Sequence, residues 1–267
     1  MNLFSSVRHF RGRALNLCLF SHQSTPNHVF SIRPFLGQHH RLLNQRGYSA
    51  YRKSTKSNAN MVIAGIVVTN IGLFVVWNNL LPASIRPQNR AQTLNFLIKN
   101  FTVSSQNMSE GRWWTLITHA FSHRDLSHIA FNMITFSSYA LLLSQAGIGG
   151  SRIALLSLGS AVAGAAGFLF HERAKNPANR QVAIGASGIV MGVGAAAAFI
   201  APKVKFLIFG IIPMPLWVTV PAFMSLDLYL LDKSNSRTAH AGHLGGGIFG
   251  GLFAYVFLRR FALWRAR

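Results

Sequence analysis

A serine set among small residues, Gly185-Ala186-Ser187-Gly188, opens an uncharged run that extends to Pro202, and His243 stands near the start of another such run. A serine hydroxyl is inert at neutral pH. A base beside it in apolar surroundings makes chemical sense where the hydroxyl has to attack an electrophile. Upstream, His123, His128 and Asn132 form an H-x4-H-x3-N pattern, in which His128 and Asn132 stand four apart and project from one face of a helix. An imidazole N–H and a carboxamide are donors of the kind a developing oxyanion needs, and one such donor contributes about 3–4 kcal/mol in a soluble serine protease. The set reads as a membrane-embedded serine hydrolase. Each residue also has a plainer reading: Ser187 bonded back to its own helix, either histidine satisfied by a carbonyl, the glycines serving packing alone.

Half of the 267 residues are hydrophobic and 12% are charged, against roughly 25% charged in soluble domains. Six long uncharged windows, 57–85, 126–151, 153–171, 181–202, 206–226 and 238–258, each approach or exceed the ~20 residues that a spanning helix needs. The expected fold is therefore an all-α polytopic membrane protein with six transmembrane helices, the first from about Met61 to Leu81 and stopping at Pro82. A seventh window, 14–32, is rejected because it holds Ser21, His22, Gln23, Ser24, Thr25, Pro26, Asn27 and His28, polar groups that hydrocarbon would leave unsatisfied.

These elements have to bring the serine and histidine together. The runs holding Ser187 and His243 differ by two crossings, start from the same side and place both residues at one depth. Gly188 and Gly192, and Gly242, Gly246 and Gly250, recur every four residues, the small-xxx-small spacing that lets helix backbones approach closely. The connection over about 83–125 is too long for a simple link. Its stretch Ala91–Lys99 suits a surface helix, and Trp113-Trp114 suits the interfacial belt. Asp125 or Ser127 is positioned to cap the helix that begins near Leu126.

The net charge of +21 would point to nucleic acid in a soluble chain, but its distribution points elsewhere. Nine of the 26 basic residues lie in the first 60 positions, and no acidic residue precedes Glu110. An acid-free, Arg- and Ser-rich leader has the composition of an organelle transit peptide. Arg46-Gly47-Tyr48-Ser49 resembles a matrix-peptidase site, giving a presequence over 1–48 and a mature chain from about Ser49. Cys18 lies inside the leader, so the mature chain would hold no disulfide, thiol nucleophile or cysteine zinc site. A polar segment over 49–60 precedes the membrane domain, 61–262, and a basic tail, 263–267, follows it. Loop charge puts both ends on one side, read as the matrix.

Trp114 through His119, H-x4-H-x3-N at 123–132, G-A-S-G at 185–188 and H-x-x-G-x-x-x-G at 243–250 together resemble the rhomboid family of intramembrane serine proteases, and its mitochondrial branch above all. The resemblance implies a six-helix bundle in which a short fourth helix lifts the serine to a water-accessible cavity. It implies Ser187 as nucleophile, His243 as general base, and His128 and Asn132 as oxyanion donors beside the Ser187 backbone N–H. Single-span proteins of the mitochondrial inner membrane would be the substrates and the lipid bilayer the medium, with no cofactor, metal or nucleic acid required. Two positions depart from the family pattern: Thr115 stands where an arginine often follows the tryptophan, and Met191 stands where many members stack a tyrosine on the catalytic imidazole.

The implied mechanism is a serine–histidine dyad. Asp227, the sole acidic residue inside a hydrophobic run, has no evident route to His243 in the sequence and is left outside the dyad. Two other classes were weighed: an inactive rhomboid-like scaffold that binds membrane helices, and a metal-transport path lined by His119, His123, His128, His240 and His243. Scaffolds of that kind typically lose the serine or the histidine, and both are present here. His119 and His128 would lie on opposite sides of one continuous helix, which argues against a shared ligand face.

Overall fold

The structure is a computed structural model that describes residues 45–82, 84, 89–175, 181–208, 210–231, 233 and 239–262. The expected presequence up to residue 44 and the tail 263–267 lie outside the described residues.

Helix α1 (Gln45–Trp77) runs without a break from the polar segment into the first apolar window. It ends four residues before Leu81. The reason is a guanidinium cap: Arg90 donates to the last carbonyls, those of Val76 and Trp77, and Asn79 turns the chain with φ 57°. The long connection is built of α2 (Arg90–Phe101), α3 (Ser105–Ser109), α4 (Thr115–Thr118) and a 3-10 turn over His119–Phe121. The expected surface helix is α2, capped by the Asn89 side chain accepting from the Gln92 N–H. Trp113 and Trp114 meet edge to face at 6.2 Å, both exposed.

Helices α5 (Leu126–Gln145) and α6 (Gly150–Lys175) follow the second and third windows. Asp125 occupies the cap position of α5 but makes no side-chain cap bond; its carboxylate accepts from the Ser127 hydroxyl at 3.1 Å instead. Helix α7 (Ser187–Ile200) begins at the serine and is only 14 residues long, a rise of roughly 21 Å against a hydrocarbon core of about 30 Å.

The 206–226 window does not open as a helix. An antiparallel hairpin occupies it first, β1 (Lys205–Ile208) and β2 (Ile212–Pro215), with Lys205 opposite Pro215, and only then does α8 (Leu216–Leu230) begin. Gly210 supplies a turn with φ +73°, and Pro213 and Pro215 lack the N–H that a helix would need. The short 202–205 link expected from charge is therefore a longer hairpin connection. Helix α9 (His240–Phe253) loosens into a π turn, Ala254–Leu258, and a 3-10 turn, Arg259–Phe261.

Among the described residues, four helical segments are long and apolar enough to cross a membrane: Ser57–Trp77, Leu126–Gln145, Gly150–Lys175 and His240–Phe261. Two further apolar helices, Ser187–Ile200 and Leu216–Leu230, are shorter than a full crossing needs. The core lies between α5, α6, α7 and the end of α9, where Phe136, Leu143, Leu156, Ile189, Val193, Ile200 and Leu258 are buried.

Backbone contact replaces side-chain packing where α6, α7 and α9 meet. A Cβ on Gly246 would run into the Gly188 carbonyl, and one on Gly250 into that of Gly192. A Cβ on Gly164 would stand 2.9 Å from the Gly242 carbonyl and 3.5 Å from the Gly188 Cα. Gly164 apart, these are the glycines whose fourfold spacing marked close approach, and van der Waals packing of this sort holds helices together where lipid removes the hydrophobic driving force.

Candidate active site

Ser187 is the first residue of α7, and three of the four residues before it are tied by backbone bonds to the long connection. Val103 and Ala183 exchange N–H···O bonds at 3.0 and 2.9 Å, and the Gly185 N–H donates to the His119 carbonyl at 3.0 Å. The Ala186 N–H donates to His123 Nε2 at 3.3 Å. The loop thus fixes where the serine emerges. Its own order rests on Asn107, which donates to the Thr102 and Ile98 carbonyls while its carbonyl accepts from Arg112 Nε and Nη2 at 2.9 and 2.8 Å. Arg112 also pairs with Glu110 at 2.5 Å. Hydrogen bonding from that guanidinium holds the exposed Glu110 carboxyl below its ordinary pKa. An arginine three positions before Thr115 therefore braces the connection, while Thr115 itself is buried with its hydroxyl on the Arg112 carbonyl at 2.7 Å.

Gly185 has φ +120°, a left-handed conformation that only glycine adopts without strain. A side chain there would also meet the imidazole of His128, with Cε1 at 2.9 Å and Nε2 at 3.3 Å. His128 therefore lies against the backbone two residues before Ser187. Its ring stands edge to face with that of His123, centroids 5.0 Å apart. Asn132, on the same face of α5 and buried, directs its carboxamide to His123 Nε2 at 3.0 Å. His123 Nε2 accepts from two donors, which assigns the ring's proton to Nδ1. Burial, with the His128 ring adding to it, pushes its pKa down to about 3; burial likewise takes His119 to about 4. Both stay neutral at physiological pH.

His243 lies in the first turn of α9, across the glycine contact from the start of α7. Among the described residues no direct hydrogen bond joins Ser187 to His243. Catalytic hydrogen bonds are often long before substrate binds. What does hold His243 corrects the sequence reading: Asp227, near the end of α8, accepts from His243 Nδ1 at 2.9 Å through Oδ1 and lies 3.1 Å away through Oδ2. The carboxylate had no evident route to His243 in the sequence because that route is tertiary. Three turns of α8 after the hairpin carry Asp227 back to the level of the first turn of α9. His240 also donates to Asp227 Oδ1, at 2.7 Å.

Ser187 and His243 are half-buried and His128 is exposed. A cavity of ≈ 20 Å³ bordered by His119, Gly185, Ser187 and Gly188 has room for a single water. Residues 110–260 match the rhomboid domain, more than half of the chain.

The chain belongs to the rhomboid family. RHOMBOID-like protein 12, mitochondrial, of Arabidopsis thaliana is 29% identical over 197 residues, 69% of this chain and 55% of that protein. Rhomboid protein 1, mitochondrial, of Saccharomyces cerevisiae is 27% identical over 207 residues, 77% of this chain and 55% of that protein. Rhomboid-like protein 16, chloroplastic, of Arabidopsis thaliana is 25% identical over 256 residues, 90% of this chain and 73% of that protein. The chain thus spans about half the length of the two mitochondrial relatives. Those relatives and the spanning helices make it a multi-pass mitochondrial membrane protein of the rhomboid family, whose members act on transmembrane proteins within the bilayer.

Three residues of the site were absent from the sequence-derived set. His123 stood inside the motif, but its work is to anchor Asn132 and Ala186. Asp227 signalled itself only as an acid in an apolar run. His240 signalled itself as a histidine three residues before His243.

Proposed function

We propose that this rhomboid is an intramembrane serine endopeptidase of the mitochondrial inner membrane that cleaves single-span proteins near the membrane surface, with Ser187 as nucleophile and His243 as general base. The observation that carries the reading is the grip of Asp227 on His243 Nδ1. It fixes the tautomer that leaves the lone pair on Nε2, the nitrogen a base needs for a serine proton. The reading therefore moves from a dyad to a dyad oriented by a carboxylate.

Ser187 Oγ attacks the scissile carbonyl as His243 Nε2 takes its proton. The oxyanion forms beside the Ser187 N–H at the start of α7, where the helix dipole favours negative charge, and His128 and Asn132 supply the side-chain donors. The C–N bond breaks, the His243 proton goes to the leaving amine, and an acyl-enzyme remains. Water then attacks the ester, giving up its proton to His243, which returns it to Ser187 as the acid leaves. Unlike a deep membrane crossing, this needs the serine near a water-accessible level, and a helix of 14 residues that begins at Ser187 supports that.

The test is cleavage of single-span proteins in liposomes carrying the purified chain. Fragments should appear with the wild type and be absent with Ser187→Ala. Binding of such helices without any cleavage by a well-folded wild type would favour the scaffold instead.

A further inference from the structure

The histidines fall into two groups by their contacts. His123 and His128 meet at the start of α5, whereas His240, His243 and Asp227 gather between α8 and α9. The second group holds more than orientation of a base requires. One carboxylate suffices to fix His243, yet a second imidazole converges on the same oxygen, with Nδ1 at 2.7 Å from Asp227 Oδ1. His240 and Asp227 are both buried, and the three ligand-capable atoms lie within 4.8 Å of one another. Among the described residues this is the one group of three or more His, Cys, Asp or Glu side chains so placed.

We propose that Asp227, His240 and His243 form a zinc-type divalent-metal site whose occupancy switches the protease off. This rests on the reading of His243 as general base. Zinc takes nitrogen and oxygen ligands at about 2.0–2.2 Å, which spaces tetrahedral ligand atoms roughly 3.3 Å apart, and three protein ligands plus water complete its shell. The separations present, 2.7 and 2.9 Å from nitrogen to oxygen, reach that spacing by rotations of the two rings and the carboxylate. His240 and His243 stand three apart on α9 and share a face, so no backbone rearrangement is required. Two imidazoles and a carboxylate suit zinc and not magnesium or calcium, which prefer all-oxygen shells.

The switch follows from tautomer chemistry. In the metal-free site the His243 proton sits on Nδ1, toward Asp227, and Nε2 is a base. A metal at Nδ1 needs that lone pair, so the proton moves to Nε2 and no net proton is released. The nitrogen that should take the Ser187 proton then already carries one, and its basicity falls further under the metal charge. The serine is intact but unactivated. Ser187 itself is no ligand in this arrangement, so metal binding and nucleophile are separable.

Full-length Ser187→Ala protein in detergent, equilibrated with Zn²⁺ alone, should bind one ion per chain, and Mg²⁺ should not compete. His240→Gln in the same background, checked for an unchanged melting temperature in metal-free buffer, should lose that ion; His240→Asn serves as the second variant. With serine intact, saturating Zn²⁺ should lower the cleavage rate by about a hundredfold, the order contributed by a general base. A chelator should restore it, and His240→Gln, which lacks one of the three protein ligands, should lose less than about threefold from its own metal-free rate. Zinc stoichiometry of zero, or one that both His240 variants leave unchanged, overturns the site. Zinc bound at the site with an undiminished cleavage rate overturns the switch. A wild type inactive even without zinc sinks the protease reading, while the binding arm still decides the metal site.

Discussion

Asp227 is the residue whose removal separates orientation from structure. Asp227→Asn keeps the shape but offers His243 a carboxamide that can present its N–H, so the imidazole loses its fixed tautomer. The cleavage rate should fall by about 10²–10⁴-fold with KM little changed, read from steady-state kinetics in liposomes. At Gly185, alanine meets both the φ of +120° and the His128 ring. Gly185→Ala should therefore displace Ser187 and remove activity, while the rest of the fold, read by circular dichroism, persists. His123 gives a pH signature. Its folded pKa, about 3, lies below the ordinary 6.5, so the unfolded chain binds its proton more readily. The stability it contributes is complete above about pH 6.5 and is lost as pH falls toward 3, at about 1.4 kcal/mol per unit within that window. His119, taken to about 4, acts in the same direction. Melting temperature should drop below pH 6, and less steeply in His123→Asn, where His119 alone remains; a flat profile in the wild type would refute the burial argument. Ser187, His243, His128 and Asn132 could be singled out in the sequence because each sits in a short local motif; their roles are those proposed above. Asp227, His123 and His240 join the candidate site only through tertiary contacts, to His243, Ala186 and Asp227 respectively, which no spacing encodes.

At the scale of elements, α7 and α9 touch through backbone, and Gly192, Gly246 and Gly250 leave no room there for a methyl group. Gly246→Ala and Gly250→Ala should each destabilise the bundle by about 1–3 kcal/mol, the range for overpacking, measured by thermal unfolding in detergent. Gly72→Ala in α1, where a Cβ meets nothing within 4 Å, should change little. The contact between these helices was legible from glycine spacing alone, and so were α2 and the starts of α5 and α7. The hairpin at 205–215 was not, because an uncharged run of Phe, Leu, Ile, Met and Pro has the same hydropathy whether it is helix or strand. Only Gly210 and the two prolines hinted at it. The end of α1 was missed for a related reason: the stop is made by Arg90, 13 residues downstream of Trp77.

Across the whole molecule the described acids lie at one end while bases lie at both. The described acids Glu110, Asp125, Glu172 and Asp227 sit in the long connection or at the helix ends on the serine's side. Lys203, Lys205, Arg152, Arg259 and Arg260 sit at the other end with the hairpin and the terminus of α9. We read that acid-free end as the matrix side, so a C-terminal tag should resist protease added to mitoplasts and be lost only after the membrane is opened. Digestion of the tag in intact mitoplasts would invert the topology and place the serine on the matrix side.

The central claim is that Ser187 is a nucleophile activated by His243. A fluorophosphonate probe reports this directly by covalent labelling of the folded protein in liposomes. The account predicts labelling of the wild type, none of Ser187→Ala, and a loss of about a hundredfold or more in labelling rate for His243→Ala. Equal labelling of the wild type and Ser187→Ala, or none of a wild type shown to be folded, would contradict it.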